Sequence, residues 1–315
     1  MTKKRTRIIL FVTLIFIILL AIPSYFWTKS NIKELNAFYN SKLSPVIMIP
    51  GSSATENRFD TLVTKLNQHT RNKHSLLKVK VWNNGKITYK GKIRANDNEP
   101  IIVVGFENNK DGYSNIKKQA RMFNQAFAAL QARYKFNNFK GIGHSNGGLI
   151  YTDFLEQYFN EYSQVEIKRL MTIGTPYNFD ETSISNKTEM LADFIANRES
   201  IPTNLTVYSV AGTETYDSDR LVPESSVSAG KYIYQKQVKH FTEITVTGED
   251  AEHSDLPQND EVVSLIERYM LDNQNQGMNR KGKNPQDNLQ KQDKKKIVMP
   301  VKNWYNYLFL EIITF

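Results

Sequence analysis

From Pro45 onward, short apolar runs alternate with stretches of helical period. Val46–Ile49, Ile101–Val104, Phe139–Ile142, Leu170–Ile173, Leu205–Val210 and Phe241–Val246 read as strands. Runs as continuous as Ile101–Val104 are what a strand needs when both faces of its sheet are covered. Between the strands, Phe59, Leu62, Val63 and Leu66 recur at the spacing of one helix face, as do Ile116, Ala120, Phe123, Phe127 and Leu130. Gly148–Phe159 and Val262–Met270 predict two further helices. The stretch from Leu76 to Tyr89 reads as a β-hairpin that turns at Asn84-Gly85. Glu181 to Asn197 lies between two strands and holds the helix-like segment Met190–Ala196, either a short lid or a connecting helix. Strands and helices alternating over this length predict an α/β domain with a mainly parallel sheet. No internal repeat interrupts the pattern.

The two ends break this pattern. Ile8 to Trp27 is twenty residues without a charge, long enough at about 1.5 Å per residue to cross a hydrocarbon layer of about 30 Å. The cations just before it, Lys3, Lys4, Arg5 and Arg7, predict a cytoplasmic N-terminus and an exported body. A cleaved signal peptide is the alternative, although Pro23-Ser24 makes a poor cleavage site. Residues 1–29 are therefore expected to be an anchor or signal, and residues 40–272 the folded domain. After Leu271 the composition shifts: residues 273–296 are rich in Asn, Gln and Lys and predict a polar linker. The apolar tail 297–315 follows without an assigned role.

Charge narrows the function classes. The formal net charge of +9 comes wholly from the two ends, with four cations in residues 1–7 and eight cations against three anions in residues 273–315. The body between them is formally neutral, which argues against a nucleic-acid-binding domain. The chain has no cysteine, which excludes disulfides and thiolate metal sites.

Within the body, Gly143-His144-Ser145-Asn146-Gly147 fits G-x-S-x-G. The pattern alone is common. Here a predicted strand runs into it and a predicted helix runs out, the setting of a nucleophile elbow. Glycines two residues either side let the chain bend tightly enough to hold the serine hydroxyl clear of the backbone. Gly141 and Gly143 also begin a G-x-G-x-x-G pattern, but its last position is Asn146, so dinucleotide binding is not expected. A serine nucleophile needs a base and an orienting acid, in the chain order Ser, acid, His. His69 and His74 precede Ser145, His144 lies inside the elbow, and His240 precedes the last strand. His253 follows that strand and precedes the final helix, so it is the expected base. For the acid, the loop after Leu205–Val210 offers Glu214, Asp217 and Asp219. Asp219 opens the turn Arg220-Leu221-Val222-Pro223 and is preferred, with Asp217 the alternative; Asp255 is too close to His253 in sequence. The oxyanion donors are expected to be the backbone N–H groups of Asn146, after the nucleophile, and of Ser52, after the first core strand. No metal or organic cofactor is implied.

Five segments together resemble the α/β-hydrolase superfamily: VIMIPGSS (46–53), GIGHSNGG (141–148), IGTPYNF (173–179), SDRLVPESS (218–226) and EHSDLPQNDEVV (252–263). More closely, they resemble cell-surface hydrolases of unknown function from Gram-positive bacteria. The resemblance implies the α/β-hydrolase fold, a triad of Ser145, His253 and Asp219, and an N-terminal export segment. One position departs from it: where relatives often carry His-Gly at the oxyanion loop, this chain has Pro50-Gly51. The expected activity is that of an exported serine hydrolase acting on carboxylic esters, small or lipid, and held at the membrane with its catalytic domain outside or secreted. A non-catalytic binding module on the same scaffold, and an acyltransferase with the same triad, are the alternatives.

Overall fold

The computed structural model describes residues 3–70 and 72–272. The predicted polar linker and apolar tail, 273–315, lie outside the described residues. The apolar runs form eight strands: β1 Val46–Ile49, β2 Leu76–Val81, β3 Ile87–Gly91, β4 Ile101–Phe106, β5 Asn138–His144, β6 Glu166–Ile173, β7 Thr206–Thr213 and β8 His240–Thr247. They make one sheet in the order β3-β2-β4-β1-β5-β6-β7-β8. Every pairing is parallel except β2 with β3, the predicted hairpin, which extends the sheet at one edge. This is the α/β-hydrolase architecture.

The helices are α1 Lys3–Tyr39, α2 Asp60–His69, α3 Tyr113–Tyr134, α4 Asn146–Gln157, α5 Glu189–Asn197, α6 Glu224–Ser228, α7 Lys231–Tyr234 and α8 Asp260–Tyr269. Strand alternation explains how they cover both faces. All four residues of β1 are buried. Ile47 and Ile49 face one core with Phe123 and Phe127 of α3 and Phe154 of α4. Val46 and Met48 face the other, with Leu62 and Leu66 of α2 and Val262 and Ile266 of α8.

The segment read as either lid or connecting helix is the latter. Met190, Leu191 and Phe194 of α5 are buried in the first core, and Asp193 accepts the Tyr113 hydroxyl at 2.9 Å. The Thr188 hydroxyl caps α5 by accepting the Leu191 N–H.

The apolar N-terminal run lies within α1, whose most apolar stretch has a mean hydropathy of 2.7 and no buried residue. The helix continues beyond that run to Tyr39 and docks on the domain. Phe38 enters the core, Glu34 pairs with Lys135 at 3.5 Å, and Asn137 Nδ2 donates to the Phe38 carbonyl at 3.0 Å. Asn137 immediately precedes β5, so α1 docks where the parallel strands begin.

Candidate active site

The opposite edge, where parallel strands end, is where open α/β sheets place their sites. Here β5 leads into Ser145, and α4 begins at the next residue. Ser145 has φ +54° and ψ −128°, a conformation that side chains rarely adopt and that a nucleophile elbow imposes. The flanking glycines answer to crowding. A Cβ on Gly143 would lie 2.5 Å from the Gly148 nitrogen, and one on Gly147 would lie 2.0 Å from the Ile49 carbonyl oxygen; the next residue is as crowded, a Cβ on Gly148 lying 2.1 Å from Thr175 Oγ1.

Two later loops meet beside this turn. Asp219 follows β7 and is fully buried. Its Oδ1 accepts the N–H groups of Val222 at 2.6 Å and Leu221 at 3.1 Å, so the turn read from the sequence does fix the carboxylate. Its Oδ2 accepts from His253 Nδ1 at 2.7 Å, and its carbonyl accepts the His253 N–H at 2.9 Å. An ionised carboxylate can only accept, so against it Nδ1 carries the proton and Nε2 is left as a proton acceptor. The other acids are elsewhere. Asp217 is exposed, Glu214 pairs with Arg220 at 2.7 Å, and Asp255 accepts from Gln258 at 2.9 Å. Among the other histidines, His240 opens β8 at the far edge, and His74 Nδ1 pairs with the Glu99 carbonyl.

Ser145 and the His253–Asp219 pair share one wall. The Ser145 N–H donates to the Ile173 carbonyl at 2.8 Å. At the next residue, Gly174, a Cβ would lie 3.2 Å from both Asp219 Oδ2 and His253 Nδ1. No hydrogen bond joins Ser145 Oγ to His253 among the described residues, and such contacts commonly tighten only when substrate is bound. Ser145 and His253 are 7% and 6% exposed, so the serine meets little water without being sealed off.

On the other side lies the loop after β1. A Cβ on Gly51 would come within 2.6 Å of the Ser145 Cβ, which shows how closely this loop approaches the serine. The Ser53 N–H is taken by the Asn109 carbonyl at 2.7 Å. Neither the Ser52 nor the Asn146 N–H has an acceptor among the described residues. The Asn146 side chain is tied to Asp111 Oδ1 at 2.7 Å.

His144 contributes more than the sequence suggests. Its Nε2 lies 3.0 Å from the His253 carbonyl, and the two rings are 4.8 Å apart between centroids. Burial first, then the neighbouring His253 and Arg58, hold the His144 pKa well below the usual histidine range. It is therefore neutral, with the Nε2 proton directed at the carbonyl, and it clasps the loop that carries His253. Arg58 clasps the same loop further on, through the Ser254 carbonyl and Gln258 Oε1. Strand alternation turns His144 to the face of β5 away from the adjacent Ser145. The sequence gives no sign that the loop after β8 packs there.

The alpha/beta hydrolase family of unknown function DUF915 matches residues 33–273. Among solved structures, a protein designated a cell surface hydrolase from Lactobacillus plantarum WCFS1 is 54% identical, with a TM-score of 0.69, over 80% of this chain and 98% of its own. A gene product of Listeria innocua is 26% identical, with a TM-score of 0.68, over 77% and 96%. No curated protein is significantly similar. With the sheet order, the strained turn at Ser145 and a family match over most of its length, the chain belongs to the DUF915 alpha/beta hydrolases.

Proposed function

We propose that this protein is an exported serine hydrolase that cleaves carboxylic esters through an acyl-enzyme. The observation that carries the reading is the 2.7 Å hydrogen bond between Asp219 and His253, delivered by two separate loops to the edge where Ser145 is held in a strained turn. Ser145 Oγ attacks the acyl carbonyl while His253 Nε2 takes its proton. The carbonyl oxygen, now negative, is received by the Ser52 and Asn146 N–H groups. His253 then protonates the departing alkoxide. Water, deprotonated by the same nitrogen, releases the acid and restores the serine. Asp219 holds the tautomer and stabilises the imidazolium without itself becoming protonated.

We also read α1 as an uncleaved anchor. The helix runs unbroken through Pro23-Ser24 and docks at Phe38, so a cut there would divide a continuous element. Its docking point lies at the edge opposite the site. The seven residues of β5 put about 23 Å of strand between them, so substrate approaches from the side away from the anchor.

Labelling with a fluorophosphonate probe tests the mechanism. Wild-type protein should label covalently, with Ser145→Ala silent and His253→Ala slowed by orders of magnitude. Equal labelling of Ser145→Ala would refute it. Intact-mass measurement on protein recovered from membranes tests the anchor, which is lost if the mature chain begins after residue 24.

A further inference from the structure

The same edge of the sheet holds a second concave surface, a groove of about 770 Å³ between the β2–β3 turn, the loop after β4 and one face of α3. Trp82 lines it from the turn, Glu107 and Lys110 from the loop, and Lys118, Arg121 and Gln125 from the helix. The Trp82 indole N–H is fixed by Thr88 Oγ1 at 3.1 Å, and the Lys80 ammonium sits 4.5 Å from its ring centroid. The ring therefore has a set orientation. The volume is that of a site for a drug-sized ligand or a segment of polymer.

Its lining is rich in cations and amides. Lys110, Lys118 and Arg121 form no ion pair among the described residues, in a body whose formal charge is zero. The one carboxylate in the lining, Glu107, already accepts the Asn83 N–H at 2.7 Å. The Asn83 and Gln125 side chains line the groove with no hydrogen-bond partner among the described residues. Three unpaired cations, free amides and one flat aromatic ring match a ligand with anionic groups, many hydroxyls and an apolar carbon face.

The groove is also joined to the nucleophile. The loop that forms its wall runs on to Asp111, which holds the Asn146 side chain, and its Asn109 carbonyl holds the Ser53 N–H. One loop thus backs both proposed oxyanion segments on one side and lines the groove on the other. We propose that this groove binds an anionic polyol chain, one built of sugars or polyols linked or decorated by phosphate or carboxylate. If the hydrolase reading holds, the polyol is the alcohol part of the ester. Binding does not depend on catalysis, so either reading can fail without the other.

Calorimetry on the full chain in zwitterionic lipid nanodiscs tests this with three probes. They are an oligomer of glycerol phosphate, neutral dextran, and polyglutamate as an anion without hydroxyls. The glycerol phosphate oligomer should bind about tenfold or more tighter than either of the others, since each lacks one of the two contact types. The double variant K118E/R121E should weaken that binding at least about tenfold. Both positions are exposed on α3, and a melting curve checks that the fold is kept. The carboxylate arm, polygalacturonate, tells whether phosphate is required; binding by either anionic polyol supports the proposal. Equal binding of polyglutamate would reduce the groove to a charged patch. Equal binding of dextran would remove the need for cations. An unchanged affinity in K118E/R121E, or no binding by any probe, overturns the proposal.

Discussion

Glu156 on α4 gives a stability prediction with a definite sign. It is 5% exposed, and both its carboxyl oxygens are buried with no hydrogen-bond partner among the described residues. Burial, then the charges of Asp153 and Asp193, push its pKa from the ordinary 4.5 up to about 9. The folded protein thus keeps a proton that the unfolded chain releases above pH 4.5. The contribution of this group to stability is intact below pH 4.5, is lost progressively as the pH rises, and is gone above pH 9. The loss runs at about 1.4 kcal/mol per pH unit and reaches about 3 kcal/mol at pH 7. Glu156→Gln replaces the protonated acid by an isostere that cannot ionise. The variant should match wild type near pH 4.5 and exceed it by about 3 kcal/mol at pH 7. The gap should widen further to pH 9. Urea unfolding followed by near-ultraviolet circular dichroism, at one-unit steps from pH 4.5 to 9, reads the difference directly. A difference that stays constant across this range would refute the reasoning, because it would mean that Glu156 ionises in the folded protein as it does in the unfolded one.

The remaining predictions concern the site and its frame. Asp219→Asn should leave the fold intact but reduce the labelling rate by about 10⁴, since the amide favours the wrong His253 tautomer; rates within tenfold of wild type would remove Asp219 from the mechanism. His144→Ala should lower kcat/KM about tenfold, mostly in kcat, by freeing the His253 carbonyl at a cost of about 1.5 kcal/mol. An effect confined to KM would instead give His144 a binding role. Gly148→Ala should abolish both folding and labelling, because its Cβ meets Thr175. Gly85→Ala, at φ +81° with open space around it, should cost only about 1–2 kcal/mol and leave labelling unchanged.

The strands, the amphipathic helices and the elbow were legible because each depends on residues close together in sequence. Apolar continuity marks a strand covered on both faces, and G-x-S-x-G between strand and helix marks a tight turn, whatever the rest of the chain does. The choice of the loop after β8 for the base follows from chain order alone. Several features had no such local signature. The burial of Asp219 is one: the turn after it favours it over Asp217 and Glu214 in the sequence, but the fold alone shows it buried while Asp217 is exposed and Glu214 is ion-paired. His144 reads only as a residue inside the elbow, while its partner lies 109 positions further on. Lys140 sits in a strand, yet it is fully buried, paired with Glu99 just before β4 and with Asp272 at 3.2 Å. The groove beside Trp82 draws its lining from three segments that nothing in the pattern connects. Periodicity fixes how a segment lies against the core, because burying one face is a local requirement. Which loop ends come together is decided by the stacking of strands from distant parts of the chain. The sequence by itself therefore determined the scaffold and the candidate serine, and the tertiary structure decided which acid pairs with His253, what clasps the loop of that histidine and what lies next to it.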